Sequence, residues 1–97
     1  MSIILYTQPR CGYCVMMKEM LDFLKYEYTI VDIKNSSEAL NFMKEQGHTT
    51  VPQLYAYDFH INQKDTYEYT SEELNNLILE AKGKHWPWQD SGIEQGI

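Results

Sequence analysis

The sequence predicts a single α/β domain, and three observations carry that prediction. Short runs rich in Ile, Val, Thr and Tyr alternate with longer stretches whose apolar residues recur at three and four, giving the order strand, helix, strand, helix. The only two cysteines sit three apart at the junction of the first strand and the first helix. At 97 residues the chain has room for one modest core, and an apolar fraction of 43% is enough to fill it.

Taken in order, Ile3-Ile4-Leu5-Tyr6 is a short apolar run without alternation, the pattern of a strand covered on both faces. Pro9 breaks the ladder and opens a loop that presents Arg10-Cys11-Gly12-Tyr13-Cys14. From Cys14 to about Tyr26 the residues Met16, Met17, Met20, Leu21 and Leu24 fall on one helical face, with Lys18, Glu19, Asp22 and Lys25 on the other. The methionines are read as core filler rather than as a soft-metal site.

A helix that begins at or just after Cys11 places both sulfurs on one face of its first turn, near enough to join and part. Unpaired N–H groups and partial positive charge at the helix N-terminus favour a thiolate at the outermost cysteine. Cys11 is therefore the expected nucleophile, and Cys14, one turn inside, the thiol that resolves the mixed disulfide. Two blander readings are weaker. Structural zinc needs two more ligands, and His48, His60 and His85 are scattered singly, so no metal is expected. A structural disulfide closing so short a loop removes little chain entropy.

Tyr28–Ile33 reads as the second strand. Asn35, with Glu38 three residues on, is the expected cap of a second helix striped by Ala39, Leu40 and Met43 and closed at Gly47. The crossover makes these first two strands parallel. Pro52 suits the first position of a third strand, Gln53–Tyr57. Thr70 and Glu73 form a capping box before Leu74, Leu77, Ile78 and Ala81, the stripe of a third helix. After Gly83 periodicity ends, so residues 1–83 are read as the domain. Residues 84–97 are read as a tail, partly packed on the domain through Trp86 and Trp88.

Eight basic against fourteen acidic residues leave a net charge of −6, which argues against nucleic acid or an anionic membrane as partner. Met1 to Leu5 runs into a strand pattern with no secretory h-region, and no apolar run is long enough to span a bilayer. The expected setting is the cytoplasm, where a C-x-x-C pair is more often catalytic than structural.

Tyr6-Thr7-Gln8-Pro9-Arg10-Cys11-Gly12-Tyr13-Cys14, followed about forty residues later by Thr50-Val51-Pro52-Gln53, resembles the glutaredoxin family. The resemblance spans Ile3 to about Tyr57. It implies a thioredoxin-like fold, a four-stranded mixed sheet in order 2-1-3-4 flanked by three helices. It implies a cis proline at Pro52, in a Thr50-Val51-Pro52 segment facing the cysteines, and a Val51 backbone that pairs with the cysteine of glutathione. The activity implied is thiol-disulfide exchange on protein disulfides or glutathione mixed disulfides, with glutathione as electron donor, in a monomer. Disulfide-containing proteins are the implied partners, ribonucleotide reductase a candidate among them.

The chain also departs from the family. Similar proteins have a tight hairpin after the third strand and then a Gly-Gly pair, whereas Asp58 to Tyr69 contains no glycine. A longer loop is expected here, with the fourth strand either near His60-Ile61 or at Thr66–Tyr69. Ser71 and Glu72 occupy the place of the family's acidic pair and are candidates for contacting glutathione, beside a plain capping role. Gln8 stands where the family usually has lysine. Arg10, the nearest cation, either stabilises the Cys11 thiolate and attracts a glutathione carboxylate or is a solvated loop residue. Gly12 replaces the usual proline, and Tyr13 matches the family's aromatic, a ring that either walls the glutathione site or shields Cys14. Two alternatives stay open: a redoxin reduced by thioredoxin reductase, and a glutathione-bridged iron-sulfur cluster carrier.

Overall fold

Five residues, Ile3–Thr7, form the strand (β1) about which the rest is laid. The computed structural model describes residues 2–62 and 64–85. β1 pairs in parallel with β2 (Thr29–Asp32), Leu5 opposite Ile30, and antiparallel with β3 (Gln53–Ala56), Leu5 opposite Leu54. β4 (Phe59–His60) pairs antiparallel with β3, so the sheet order is β2-β1-β3-β4. Three helices complete the fold: α1 (Gly12–Phe23), α2 (Ser37–Glu45) and α3 (Ser71–His85), with a 3-10 turn at Thr66–Glu68. This is the mixed sheet and helix set of a thioredoxin-like fold.

Burial divides the sheet into two unequal faces. Ile3, Leu5, Leu54 and Ala56 are buried against Met17 and Leu21 of α1 and Leu74, Ile78 and Ala81 of α3. Each fully buried aliphatic side chain of this kind contributes about 1.5–3 kcal/mol. The other face is only half covered, because α2 is short. There Tyr6 stacks on Phe42 with centroids 5.4 Å apart, and Tyr55 meets Phe42 edge-on at 5.3 Å. β1 therefore alternates buried and half-buried residues and is not evenly covered on both sides. Met16 in α1 and Leu40 in α2, both expected in the apolar stripes, are exposed, and Phe42 takes the role expected of Leu40.

The helix ends explain several boundaries. α1 stops at Phe23, short of Tyr26, because Lys25 takes a positive φ of 65° and the Lys25 and Tyr26 N–H groups donate back to the Asp22 and Leu21 carbonyls. Gly47, at φ 77°, closes α2 in the same way, its N–H and that of His48 donating to the Lys44 and Met43 carbonyls. The cap of α2 is Ser36, not Asn35: Ser36 Oγ accepts the Ala39 N–H over 3.2 Å. Asn35 instead donates its side-chain amide to Asp32 Oδ2 over 3.0 Å, drawn into the turn that Asp32 organises after β2. Thr70 and Glu73 do form the reciprocal box at α3, with bonds of 3.1 and 3.0 Å.

The connection after β3 corrects the expectation of a longer loop. Tyr57 and Asp58 make a two-residue turn with φ of 53° and 72°, joining Ala56 to its partner Phe59. Two positive φ values are the signature of the tight type I′ hairpin, achieved without glycine. The fourth strand accordingly lies at Phe59–His60, and Thr66–Glu68 is the 3-10 turn. α3 continues past Gly83 to His85, and Trp86 and Trp88, expected to pack on the domain, lie outside the described residues.

Candidate functional site

β1 delivers the chain to the site, and a left-handed residue turns it into α1. Arg10 has φ 63°, after which Cys11, with extended backbone, is the N-cap of α1. Its sulfur takes the place usually held by a Ser or Asp oxygen and accepts the Cys14 N–H over 3.1 Å. Cys11 is half-buried, whereas Cys14 is only 3% exposed. Their Cα atoms are 5.2 Å apart and the sulfurs are joined as a disulfide, so the structure is that of the oxidised form.

The Val51–Pro52 peptide is cis, and the backbone before β3 lies beside the cysteines. The Val51 carbonyl oxygen lies 3.8 Å from Cys11 Sγ. A cleft of about 540 Å³ opens beside it, lined by Tyr13, Thr50, Val51, Pro52 and Gln53 and, from across the hairpin, His60, Asn62, Lys64, Asp65 and Thr66. Tyr13, 50% exposed, forms one wall. The cleft thus gathers Tyr13, Thr50, Val51 and Pro52.

Three other candidates stand elsewhere. Arg10 does not line the cleft; it lines a second hollow that both cysteines share, with Val15, Lys18 and Ile30. Ser71 and Glu72 open α3 and are not among the residues lining the cleft. Residues not singled out from the sequence take that place: Lys64, Asp65, Thr66, Gln53, His60 and Asn62. For all of these but Gln53 the sequence offers one signal, the glycine-free segment after Asp58, where every position carries a side chain.

Histidines 48 and 60 are hydrogen-bonded rather than free. His48 Nε2 lies 2.7 Å from the Tyr55 hydroxyl, and His60 Nε2 lies 2.6 Å from Gln53 Oε1, an oxygen that only accepts. His60 therefore carries its proton on Nε2. Burial pushes its pKa down, the neighbouring His48 adds to this, and a hydrogen bond with Asn62 opposes it. Among the described residues no group of three or more His, Cys, Asp or Glu side chains could hold a metal ion, and no helix is long and apolar enough to cross a membrane.

Residues 3–61 match the family model described as Glutaredoxin. The chain belongs to the glutaredoxin family. Glutaredoxin 1 of Rickettsia felis is 30% identical over 87 residues, covering 86% of this chain and 85% of its own. Two solved structures share the fold. The buckwheat glutaredoxin–glutathione complex superposes with a TM-score of 0.65 at 17% identity, over 87% of this chain and 78% of the other. NrdH-redoxin from Escherichia coli, a glutaredoxin-like protein with a thioredoxin-like activity profile, gives 0.66 at 21% identity, over 79% and 95%.

The glutaredoxin's cysteine pair makes it a thiol-disulfide oxidoreductase. Were the pair reduced, the Cys14 N–H that the Cys11 sulfur now accepts would make a charge-assisted bond to a Cys11 thiolate at the α1 N-terminus. A thiolate at the half-buried Cys11 position, beside the cleft, can attack a disulfide sulfur. A buried thiol one turn behind can then displace the product, forming the Cys11–Cys14 disulfide as two electrons pass to the substrate.

Proposed function

We propose that this glutaredoxin reduces protein disulfides and glutathione mixed disulfides with electrons from glutathione. The observation that carries the reading is the Val51 carbonyl at 3.8 Å from Cys11 Sγ, on the edge of a cleft of tripeptide size. A peptide thiol laid along Val51 would bring its sulfur to Cys11. Lys64 and Asp65 offer both signs of charge to a ligand that carries carboxylates and an ammonium group. Thr66 lines the cleft, but its hydroxyl is buried beneath the surface and has no hydrogen-bond partner among the described residues, so a ligand would satisfy it only by shifting the cleft wall. The residues present therefore fit glutathione.

The reaction runs in two halves. The Cys11 thiolate attacks the substrate disulfide and expels one thiolate, and Cys14 attacks the resulting mixed disulfide to free the second. Two glutathione thiols then return the Cys11–Cys14 disulfide to dithiol, leaving glutathione disulfide. Proteins with accessible disulfides are the proposed clients, with ribonucleotide reductase a candidate by family analogy, and a reducing cytoplasm is the proposed setting. A second reading, reduction by thioredoxin reductase, draws on the glycine-free cleft and the likeness to NrdH-redoxin.

One comparison separates the two. Turnover of a single disulfide substrate is measured with glutathione plus glutathione reductase and, separately, with thioredoxin reductase. The proposal expects turnover with the first; turnover with the second alone would replace glutathione as donor.

A further inference from the structure

The segment Thr50–Pro52 carries three backbone carbonyls, and side chains tie down the outer two. Gln53 Nε2 donates to the Thr50 carbonyl over 3.1 Å and reaches Thr50 Oγ1 at 3.4 Å. Asn62 Nδ2 donates to the Pro52 carbonyl over 2.8 Å, while Asn62 Oδ1 accepts the Leu54 N–H over 2.7 Å. Gln53 is 7% exposed and Asn62 8%, so both amides are held in low-dielectric surroundings where such bonds are strong and costly to lose. His60 donates from Nε2 to Gln53 Oε1 and so fixes which way that amide faces. The middle carbonyl, that of Val51, is the one directed at Cys11.

The loop needs such support from outside itself. Pro52 has no N–H with which to join the β ladder, so the backbone between Thr50 and Gln53 is not held there by the sheet. Thiol-disulfide exchange, however, requires the attacking, central and leaving sulfurs to lie nearly in line, and a small misplacement of the bound substrate costs rate steeply. We propose that Gln53 and Asn62 are positioning residues: gripping the Thr50 and Pro52 carbonyls, they hold the Val51 backbone where it orients a substrate's sulfur toward Cys11. This rests on the reading that a substrate thiol is seated along Val51, and it extends to any peptide or protein disulfide seated there.

The grip is tested by exchanging its donor half for a carboxylate oxygen, at a pH high enough to keep that carboxyl ionised and so unable to donate. Asn62→Asp and Gln53→Glu keep size and the acceptor oxygens, to Leu54 N–H and to His60, but lose the N–H that holds the carbonyl. Two rates are measured on each variant: KM and kcat for a glutathionylated peptide, and alkylation of reduced Cys11 by iodoacetamide, which needs no seating along Val51. KM should rise about tenfold, the effect of one hydrogen bond of ordinary strength, while alkylation stays within about twofold of wild type. Folded variants with unchanged KM would overturn the proposal, as would alkylation falling by the same factor as kcat/KM. Should either variant not fold, the other decides. A wild-type measurement stands behind both: the Asn62 side-chain amide protons should exchange slowly with solvent, and rapid exchange would contradict the grip. If the wild type ignores glutathionylated peptide but reduces a protein disulfide, the glutathione reading has failed alone, and the same KM comparison is made on the protein disulfide.

Discussion

The Cys14 amide donates to the Cys11 sulfur over 3.1 Å in the oxidised protein, so the second cysteine of the pair supports the first through its backbone as well as its thiol. In the reduced protein this bond and the α1 N-terminus favour the Cys11 thiolate. The rate of alkylation of Cys11 against pH should therefore have its midpoint well below the free-thiol value of about 8.5. A midpoint at that value would mean that the helix end contributes nothing to reactivity.

Thr66 links stability to binding. Its buried hydroxyl lacks a partner among the described residues, and such a group costs about 1–3 kcal/mol when left unpaired. Thr66→Val removes the hydroxyl at nearly constant volume. Thermal unfolding of the ligand-free variant should move to equal or higher temperature while KM for glutathione rises. A stability loss with KM unchanged would show that the hydroxyl serves the fold and not the ligand.

Much of this geometry was legible because it is local. The Cys11–Cys14 spacing, the Thr70–Glu73 box and the Leu74, Ile78 and Ala81 stripe each follow from helical periodicity, and each is found where the sequence puts it. Pro52 was legible as the start of β3 for an equally local reason, its missing N–H. The Tyr57–Asp58 turn was not, since no glycine marks it. Its positive φ values are held by strand pairing on either side and by the Tyr57 N–H donating to the Ser2 carbonyl over 2.7 Å. Without that turn, the sequence gives no way to place Asn62, Lys64 and Thr66 in the cleft. Gln53 and Asn62 look like surface polar residues in the sequence, and only the tertiary fold turns their amides inward to the loop carbonyls. Asn35 and Ser36 are both good caps, and the choice went to Ser36 because Asp32 had engaged Asn35.

His60 gives the fold a pH dependence of definite sign. Its folded pKa lies below the ordinary 6.5 because it is partly buried and next to His48, so the unfolded chain binds more protons in the window between the two values. Stability is full above about 6.5 and is lost as pH falls through the folded value. Glu73, whose carboxylate is favoured first by the Thr70 backbone N–H, adds a second loss below its ordinary 4.5. Unfolding temperature should drop in the wild type as pH falls below about 6.5. His60→Gln should flatten that first drop, and an identical profile in the variant would remove His60 as its cause.

The division of labour between the two cysteines is tested most directly by trapping. Cys14→Ser and Cys11→Ser are each reduced, mixed with a glutathionylated peptide, quenched with acid and weighed intact, with the modified residue located by peptide mapping. Cys14→Ser should carry one glutathione on Cys11, because the buried thiol that would displace it is gone. It should keep turning over glutathione mixed disulfides, which a second glutathione can clear, and should slow sharply on protein disulfides. Cys11→Ser should carry no adduct and lose both activities by orders of magnitude. An adduct on Cys14 in the Cys11→Ser protein, or none on Cys11 in the Cys14→Ser protein, would contradict the assignment of Cys11 as nucleophile and Cys14 as resolving thiol.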